Sequence, residues 1–308
     1  MESLSGMVAF VQAAEHLSFV SAGRSLGISA SAVGKNIAKL EESVGARLFH
    51  RTTRRIALTE EGAAFYERCR HILDDLRDAE AMLSDAQRVP RGRLRVSVPT
   101  IGYRFLLPVI SEFRRRYPDI ELDIDFNDRL VNVVEEGLDA VIRSGSLNDS
   151  SLMSRRLGPF HFVLCASPSY LERCGTPRFP DDLEKHDCLR FRFPTSGKLQ
   201  IWRLAEAEGV DAFRRPSPLT CNNMEALRGA AIAGLGIAYM PDFLAKEALR
   251  DGSLRTVLDN YLVDPSQFSI LWPSNRLVSP RLRAFIDFTT ETLFRDAGTM
   301  IADSHASA

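Results

Sequence analysis

The chain has 308 residues, of which 45% are apolar and 26% charged, and its formal net charge is −1. Such a composition excludes wholesale disorder and fibrous structure, and the length suits two or three domains. With charge so nearly balanced, a uniformly basic coat for nucleic acid is also excluded, so any such contact must be local.

The five cysteines (Cys69, Cys165, Cys174, Cys188 and Cys221) are odd in number and irregularly spaced, without a CxxC pair. They read as reduced thiols of a cytosolic protein rather than as disulfides or a metal site. No basic segment precedes an apolar run near the N-terminus, so no secretory leader is expected. The longest apolar stretch, residues 229–241, is too short to span a bilayer. The expected protein is cytoplasmic, with no membrane partner.

Charge is unevenly distributed along the chain. Residues 24–55 hold seven basic residues against two acids, a local charge of +5, and residues 60–88 hold eight acids against four bases, a local charge of −4. A small basic head is therefore followed by an acidic connector and a neutral body.

In the head, Met7, Phe10, Val11 and Ala14 recur at helical spacing. Ser18 is an N-cap for a short helix with Phe19, Ala22 and Leu26 on one face. Gly27 stops that helix, Ile28 plugs the turn, and Ser29 caps the next helix. The next helix has an apolar stripe of Val33, Ile37, Leu40 and Val44. A short helix, a glycine-containing turn and a second amphipathic helix are the grammar of a helix-turn-helix. At 100° per residue, the side opposite the stripe presents Ser31, Gly34, Lys35 and Ala38, a small polar face with a cation at its centre. Such a face can enter a major groove, where lysine donates to guanine O6 and N7. Strand-like runs then flank Thr52 and Thr53, with Arg51, Arg54 and Arg55 crowded at the hairpin tip. That crowding is unfavourable unless the partner is an anion such as a phosphate backbone. The candidate DNA-contacting residues are Ser29, Ala30, Ser31, Gly34, Lys35, Lys39, Arg51, Thr52, Thr53, Arg54 and Arg55.

Residues 18–29 with Ala32, Val33 and Lys35, residues 40–52 and residues 58–62 together resemble the N-terminal domain of LysR-type transcriptional regulators. Two positions depart from the family. Ala30 stands where glutamine is frequent and Gly34 where serine is frequent, so two donors toward DNA are missing. Recognition is then expected to lean on Lys35, Ser31 and the wing.

After Thr59 the apolar positions Phe65, Cys69, Ile72, Leu76 and Leu83 fall on an a/d seam, with Ala79 and Ala86 completing it. A single seam requires a partner, either the chain's own body or a second copy. The family resemblance implies a second subunit, giving a homodimer or homotetramer.

Beyond residues 89–92, which break that helix, strands and helices alternate, predicting a parallel α/β sheet. Strands are expected at residues 94–98, 120–124, 140–142, 162–166, 188–193, 219–222, 237–239 and 268–272. Helices are expected near 105–117, 130–137 and 280–294. Residues 227–241 and 279–288 resemble the effector domain of the same regulators. The resemblance implies two lobes, crossed twice by the chain, like those of periplasmic solute-binding proteins. The expected fold is thus α/β, with an N-terminal winged helix-turn-helix, a long linker helix and a C-terminal two-lobed effector domain. The expected bounds are 1–59, 60–89 and 90–308, with lobe 1 about 90–160 and 273–300 and lobe 2 about 161–272.

Ligands of open α/β sheets bind beyond the carboxyl ends of strands. That places Thr100, Ile101, Arg143, Phe193, Asn222 and Asn223 as candidate effector contacts. Two helix starts and an arginine point to a small, polar or anionic effector. No nucleophile elbow, phosphate-binding loop or metal-binding HExxH occurs, and neither metal nor resident cofactor is expected. The sequence reading is a DNA-binding regulator rather than an enzyme, with duplex DNA, a small molecule and itself as partners and RNA polymerase as a further candidate. The competing readings are a solute-binding receptor without DNA function and an α/β enzyme carrying an interaction module. The basic head and the missing export signal speak against the first, and the missing catalytic motif against the second.

Overall fold

The structure, a computed structural model, describes residues 2–51, 56–83, 89–129, 131–145, 151–205, 216–263, 265–274 and 278–294. It divides into two units between Arg88 and Val89, a head with its connector and a larger body.

In the head, α1 (Glu2–His16), α2 (Phe19–Leu26) and α3 (Ala30–Val44) pack around Phe10, Val33 and Ile37, all fully buried. Ala9, Ala13 and Ala22 are also wholly buried, and their small size lets the three helices approach closely. The side chain of Ser18 accepts a hydrogen bond from the Ser21 N–H at 3.2 Å and starts α2. Gly27 ends it at φ 69°, a left-handed conformation that glycine adopts without the Cβ penalty. Ser29 caps α3 by accepting from the Ala32 N–H at 3.1 Å. Two residues expected to be covered are instead exposed: Ile28, the expected plug of the turn, and Val44, the last position of the apolar stripe of α3.

The wing is an antiparallel pair, β1 (Phe49–Arg51) with β2 (Ile56–Leu58), in register Phe49 to Leu58. Its base is locked to α4 (Glu60–Leu83). The Thr59 hydroxyl donates to the Arg47 carbonyl at 2.7 Å and accepts from the Gly62 N–H at 2.8 Å. A Cβ on Gly62 would lie 2.0 Å from the Leu48 carbonyl oxygen, so only glycine allows this approach.

The connector departs from the expected seam. Cys69 is fully buried and Leu73 nearly so, both within the head's own core, and Phe65 packs on Phe10 with ring centroids 5.6 Å apart. The first turns of α4 therefore complete the head, because the face carrying Phe65 and Cys69 covers α1. A boundary between residues 59 and 60 would cut through this core. Ile72 and Leu76 remain exposed. Leu83 lies in the helix, and nothing further is described for it.

In the body, chain order runs β3 (Gly92–Val98), α5 (Tyr103–Arg116), β4 (Ile120–Phe126), β5 (Ala140–Ser144), β6 (Leu152–Phe160), β7 (Phe162–Ala166), α6 (Pro168–Cys174), β8 (Arg190–Phe191) and β9 (Thr220–Cys221). It continues with α7 (Met224–Ile232), β10 (Ala238–Pro241), α8 (Asp242–Arg250), β11 (Arg255–Val257), β12 (Ser266–Pro273) and α9 (Pro280–Thr292). The first lobe is a five-stranded sheet of order β4-β3-β5-β12-β6. β3 runs parallel to β4 and β5, but β12 is antiparallel to both β5 and β6, so the sheet is mixed rather than parallel. The second lobe pairs β7 antiparallel with β10 and β11, and places β8 parallel to β9.

The chain returns to the first sheet at Ser266, several residues before the expected crossing at 273, because the whole of β12 pairs with β5 and β6. Residues 133–137 form turns where a helix was expected, and Leu130 lies outside the described residues. The reason is local: Leu138 N–H bonds back to the Val133 carbonyl at 2.9 Å, and Gly137 takes φ 64°, closing the turn before a helix can grow. Where the chain crosses between lobes, Phe160, Phe268 and Phe294 stack, with centroids 4.5 and 5.6 Å apart, and Phe105 and Phe243 pack onto them. Phe243 belongs to the cores of both lobes.

Candidate DNA interface and effector cleft

The burial of α3 is sharply one-sided. Val33, Ile37 and Leu40 are buried against α1 and α2, whereas Ser31, Lys35, Ala38 and Lys39 are exposed on the opposite side. A Cβ added at Gly34 would meet nothing within 4 Å, so the surface there is open. Ala30 is half-buried, and the acceptor of Ser29 is engaged in capping. The structure thus groups the α3 candidates on one solvent-facing surface. Thr52, Thr53, Arg54 and Arg55 lie outside the described residues, and Arg51 is described only as the last residue of β1.

Sequence reasoning missed one residue of this region. The Glu41 carboxylate, near the end of α3, accepts the backbone N–H groups of Leu48 and Phe49 at 2.8 and 3.2 Å. It thereby ties the first wing strand to the recognition helix. Nothing in the pattern around Glu41 marks an acid that reaches seven residues forward to backbone donors.

In the body, the candidates sit where strands end. Beyond β3, a 3-10 turn (Thr100–Gly102) leads into α5, and the Thr100 N–H donates to Asp128 Oδ1 at 3.0 Å. Ile101 packs into the core of the second lobe. Arg143, near the end of β5, is half-buried and donates to Ser97 Oγ at 2.8 Å, to the Ile142 carbonyl at 2.8 Å and to the Arg129 carbonyl at 3.2 Å. Burial pushes its guanidinium pKa down, while Asp128, Asp125 and Glu136 pull it up less strongly. Among the described residues, no carboxylate lies within ion-pairing distance of Arg143. Ser97 is wholly buried and also accepts from Asn127 Nδ2 at 3.2 Å.

In the second lobe, Phe193 is 43% exposed and stands edge-on to the buried Phe191, with centroids 5.3 Å apart. It is therefore not a core residue. Asn222 is exposed, and Asn223 caps α7 by accepting from the Ala226 N–H at 3.0 Å. The start of α5 on the first lobe meets the start of α7 on the second. Glu225, in the first turn of α7, accepts from Tyr103 Oη at 2.5 Å and from Arg104 Nε and Nη2 at 2.6 and 3.1 Å. Ser97, Asn127, Asp128, Tyr103, Arg104 and Glu225 were all missed, because their partners lie 28 or more residues away in sequence. Both helix starts are already engaged, by Asp128 and by Asn223. Among the described residues there is no group of metal-ligating side chains and no helix long and apolar enough to cross a membrane.

A winged helix-turn-helix head followed by a two-lobed α/β body is the architecture of a ligand-responsive, DNA-binding regulator. Comparison with known proteins agrees over nearly the whole chain. Residues 4–63 match the bacterial regulatory helix-turn-helix protein, lysR family, and residues 87–293 match the LysR substrate binding domain. An HTH-type transcriptional regulator of Xanthomonas campestris pv. campestris is 37% identical over 98% of this chain and 89% of its own length. The transcriptional regulator CrgA of Neisseria meningitidis is 35% identical over 93% of this chain and 96% of its own length. The solved structure of CrgA superposes with a TM-score of 0.61 at 33% identity, covering 94% of this chain and 99% of that one. The full-length structure of AphB, a virulence activator of Vibrio cholerae, gives 0.58 at 29% identity, covering 94% and 98%. The chain belongs to the LysR family of transcriptional regulators, and it is a DNA-binding regulator with an effector-binding domain.

Proposed function

We propose that α3 reads base edges in the major groove through Ser31, Lys35 and Lys39, with Ser29, Ala30 and Gly34 lining the approach. Arg51, Thr52, Thr53, Arg54 and Arg55 supply phosphate contacts beside it. A second copy pairs along the outer side of α4, where Ile72 and Leu76 are 49% and 38% exposed on a helix that otherwise serves the head. The sequence spacing adds Leu83 to this pairing, whereas Phe65 and Cys69 contribute by shaping the head. The resulting homodimer or homotetramer reads paired half-sites in the cytoplasm and regulates transcription rather than catalysing a reaction, with RNA polymerase as its further partner.

The effector is a small anionic molecule. Arg143 provides the charge, Thr100 and Asn222 provide polar contacts, and Ile101 and Phe193 form apolar walls beside Asn223. A half-buried guanidinium whose partners among the described residues are a hydroxyl and two carbonyls favours an added anion. The effector acts through its different affinity for two arrangements of the regulator, and no resident cofactor takes part.

The observation that carries the reading is the one-sided burial of α3, with Lys35 exposed at the centre of its outer face and Val33 and Ile37 fully buried behind it. The test uses a duplex selected from random sequence by the purified full-length chain. Lys35→Ala weakens binding by about 1–3 kcal/mol and relaxes preference at one base pair, whereas Arg54→Ala lowers the salt slope by about one without changing preference. Wild-type affinity in both variants refutes the docking.

A further inference from the structure

Arg104 occupies an unfavourable place for a cation. It lies in the first turn of α5, where the aligned peptide dipoles disfavour positive charge. What compensates it comes from the other lobe. Glu225 on α7 receives two parallel donors from Arg104, a bidentate fork, and Glu247 on α8 receives Nη1 at 3.0 Å. Tyr103, the residue before, donates its hydroxyl to the same Glu225 oxygen that Arg104 Nε reaches. Arg228 of α7 also approaches Glu247, at 3.8 Å.

The contacts of Tyr103 and Arg104 join residues more than 120 positions apart and bridge the two lobes. The guanidinium of Arg104 is only 18% exposed and Glu225 only 26%, which separates this fork from ordinary surface pairs that contribute little. Burial works against ionisation of Glu225, yet the hydrogen bonds from Arg104 and Tyr103 hold its carboxyl below the usual range. The same contacts raise the pKa of the Tyr103 hydroxyl, first through its bond to Glu225. Glu225, Arg104 and Tyr103 lie beside the candidate effector contacts in sequence: Glu225 is two residues past Asn223, and Tyr103 is three past Thr100.

We infer that Arg104 is a positioning residue that sets the spacing of the two lobes by clamping α5 of the first lobe to Glu225 on α7 and Glu247 on α8 of the second. The inference rests on the reading of the cleft as the effector site. It adds that the effector works against, or with, a built-in ionic clamp rather than a free hinge. Tyr103 and Arg104 directly follow the Thr100–Gly102 turn, so an anion seated at Thr100 and the clamp act on the same helix start and are coupled. The hinge-side aromatic cluster of Phe105, Phe243 and Phe268 holds the lobes together without fixing their angle, since apolar contacts are not directional.

The test needs no effector. In the full-length chain, Cys221 is replaced by serine, and spin labels are placed on the exposed native Cys174 of the second lobe and on Ser111→Cys, an exposed position of α5. Unlabelled protein is added in excess, so that only distances within one subunit are read by double electron-electron resonance. The clamp predicts one narrow distance in the wild-type background and loss of that narrow peak in Arg104→Gln and in Glu225→Gln. Arg104→Lys, which keeps the charge but not the fork, holds the peak at low salt and loses it at about 1 M salt, where screening acts over roughly 3 Å. Glu247→Gln, at the more exposed partner, broadens the peak less than Glu225→Gln does, and a larger effect than Glu225→Gln would overturn the assignment of the fork as the main clamp. A wild-type distribution in both Arg104→Gln and Glu225→Gln overturns the clamp. That outcome would leave the effector reading standing, because the latter fails separately, if Arg143→Gln leaves regulation in the cell unchanged.

Discussion

Removal of the Glu41 carboxylate tests whether the wing is held by the recognition helix. In Glu41→Ala the backbone donors of Leu48 and Phe49, now bonded at 2.8 and 3.2 Å, lose their acceptor. A hydrogen bond to a charged group contributes about 1.5–3 kcal/mol. Glu41 is half-buried and water can replace part of what is lost, so the two bonds together amount to about 2–3 kcal/mol, from the low end of that range. Glu41→Gln keeps an oxygen at the same reach, and neutral bonds are roughly half as strong, so it costs about half as much. The global measurement is urea unfolding of the head followed in the full-length chain. The local one is amide hydrogen exchange of the segment containing Leu48 and Phe49. Exchange there accelerates strongly in Glu41→Ala and moderately in Glu41→Gln, while α1 stays protected. On the selected duplex, Glu41→Ala flattens the salt slope through the loosened wing, at little change in base preference. Unaltered exchange at Leu48 and Phe49 in Glu41→Ala would refute the reasoning.

Two further outcomes follow from named contacts. Leu76→Glu places a charge on the outer side of α4, away from the head's core, and sedimentation velocity should show a smaller assembly with an unchanged head unfolding transition. Wild-type sedimentation would show that α4 is not the pairing surface. In the first lobe, Arg281 and Asp139 are 2% and 7% exposed and approach at 3.5 Å, and Asp139 also accepts from the Arg95 N–H at 2.9 Å. Asp139→Ala removes a buried carboxylate partner of the Arg281 guanidinium and should lower the stability of the body by about 3–5 kcal/mol in chemical denaturation. A loss below 1 kcal/mol would mean that Arg281 is otherwise satisfied.

Where local rules govern, the sequence was readable. Ser18, Gly27 and Ser29 set the limits of α2 and α3 through capping and a left-handed glycine, and both are short-range effects. The outward face around Lys35 followed from the 3.6-residue period alone. Long-range pairing was not readable. The spacing of Phe65, Cys69, Ile72 and Leu76 describes an apolar face but not what covers it, and Cys69 turned inward to α1 while Leu76 stayed outside. The antiparallel insertion of β12 between β5 and β6 depends on a chain return more than a hundred residues later, which strand pattern does not encode. In the body, Thr100 and Asn223 could be picked out as helix starts. Arg104 and Glu225 could not, since an arginine and a glutamate in first turns are commonplace until the fold brings them together.

The central claim is that the chain recognises duplex sequence through a paired set of heads. Its most direct measurement is selection of random-sequence duplexes by the purified full-length protein, with the affinity of selected and random pools compared at fixed salt. The account predicts an enriched site of two related half-sites spaced by whole helical turns, bound about a thousandfold or more tighter than random DNA. Equal affinity for selected and random pools, or enrichment of a single unpaired half-site, would contradict it.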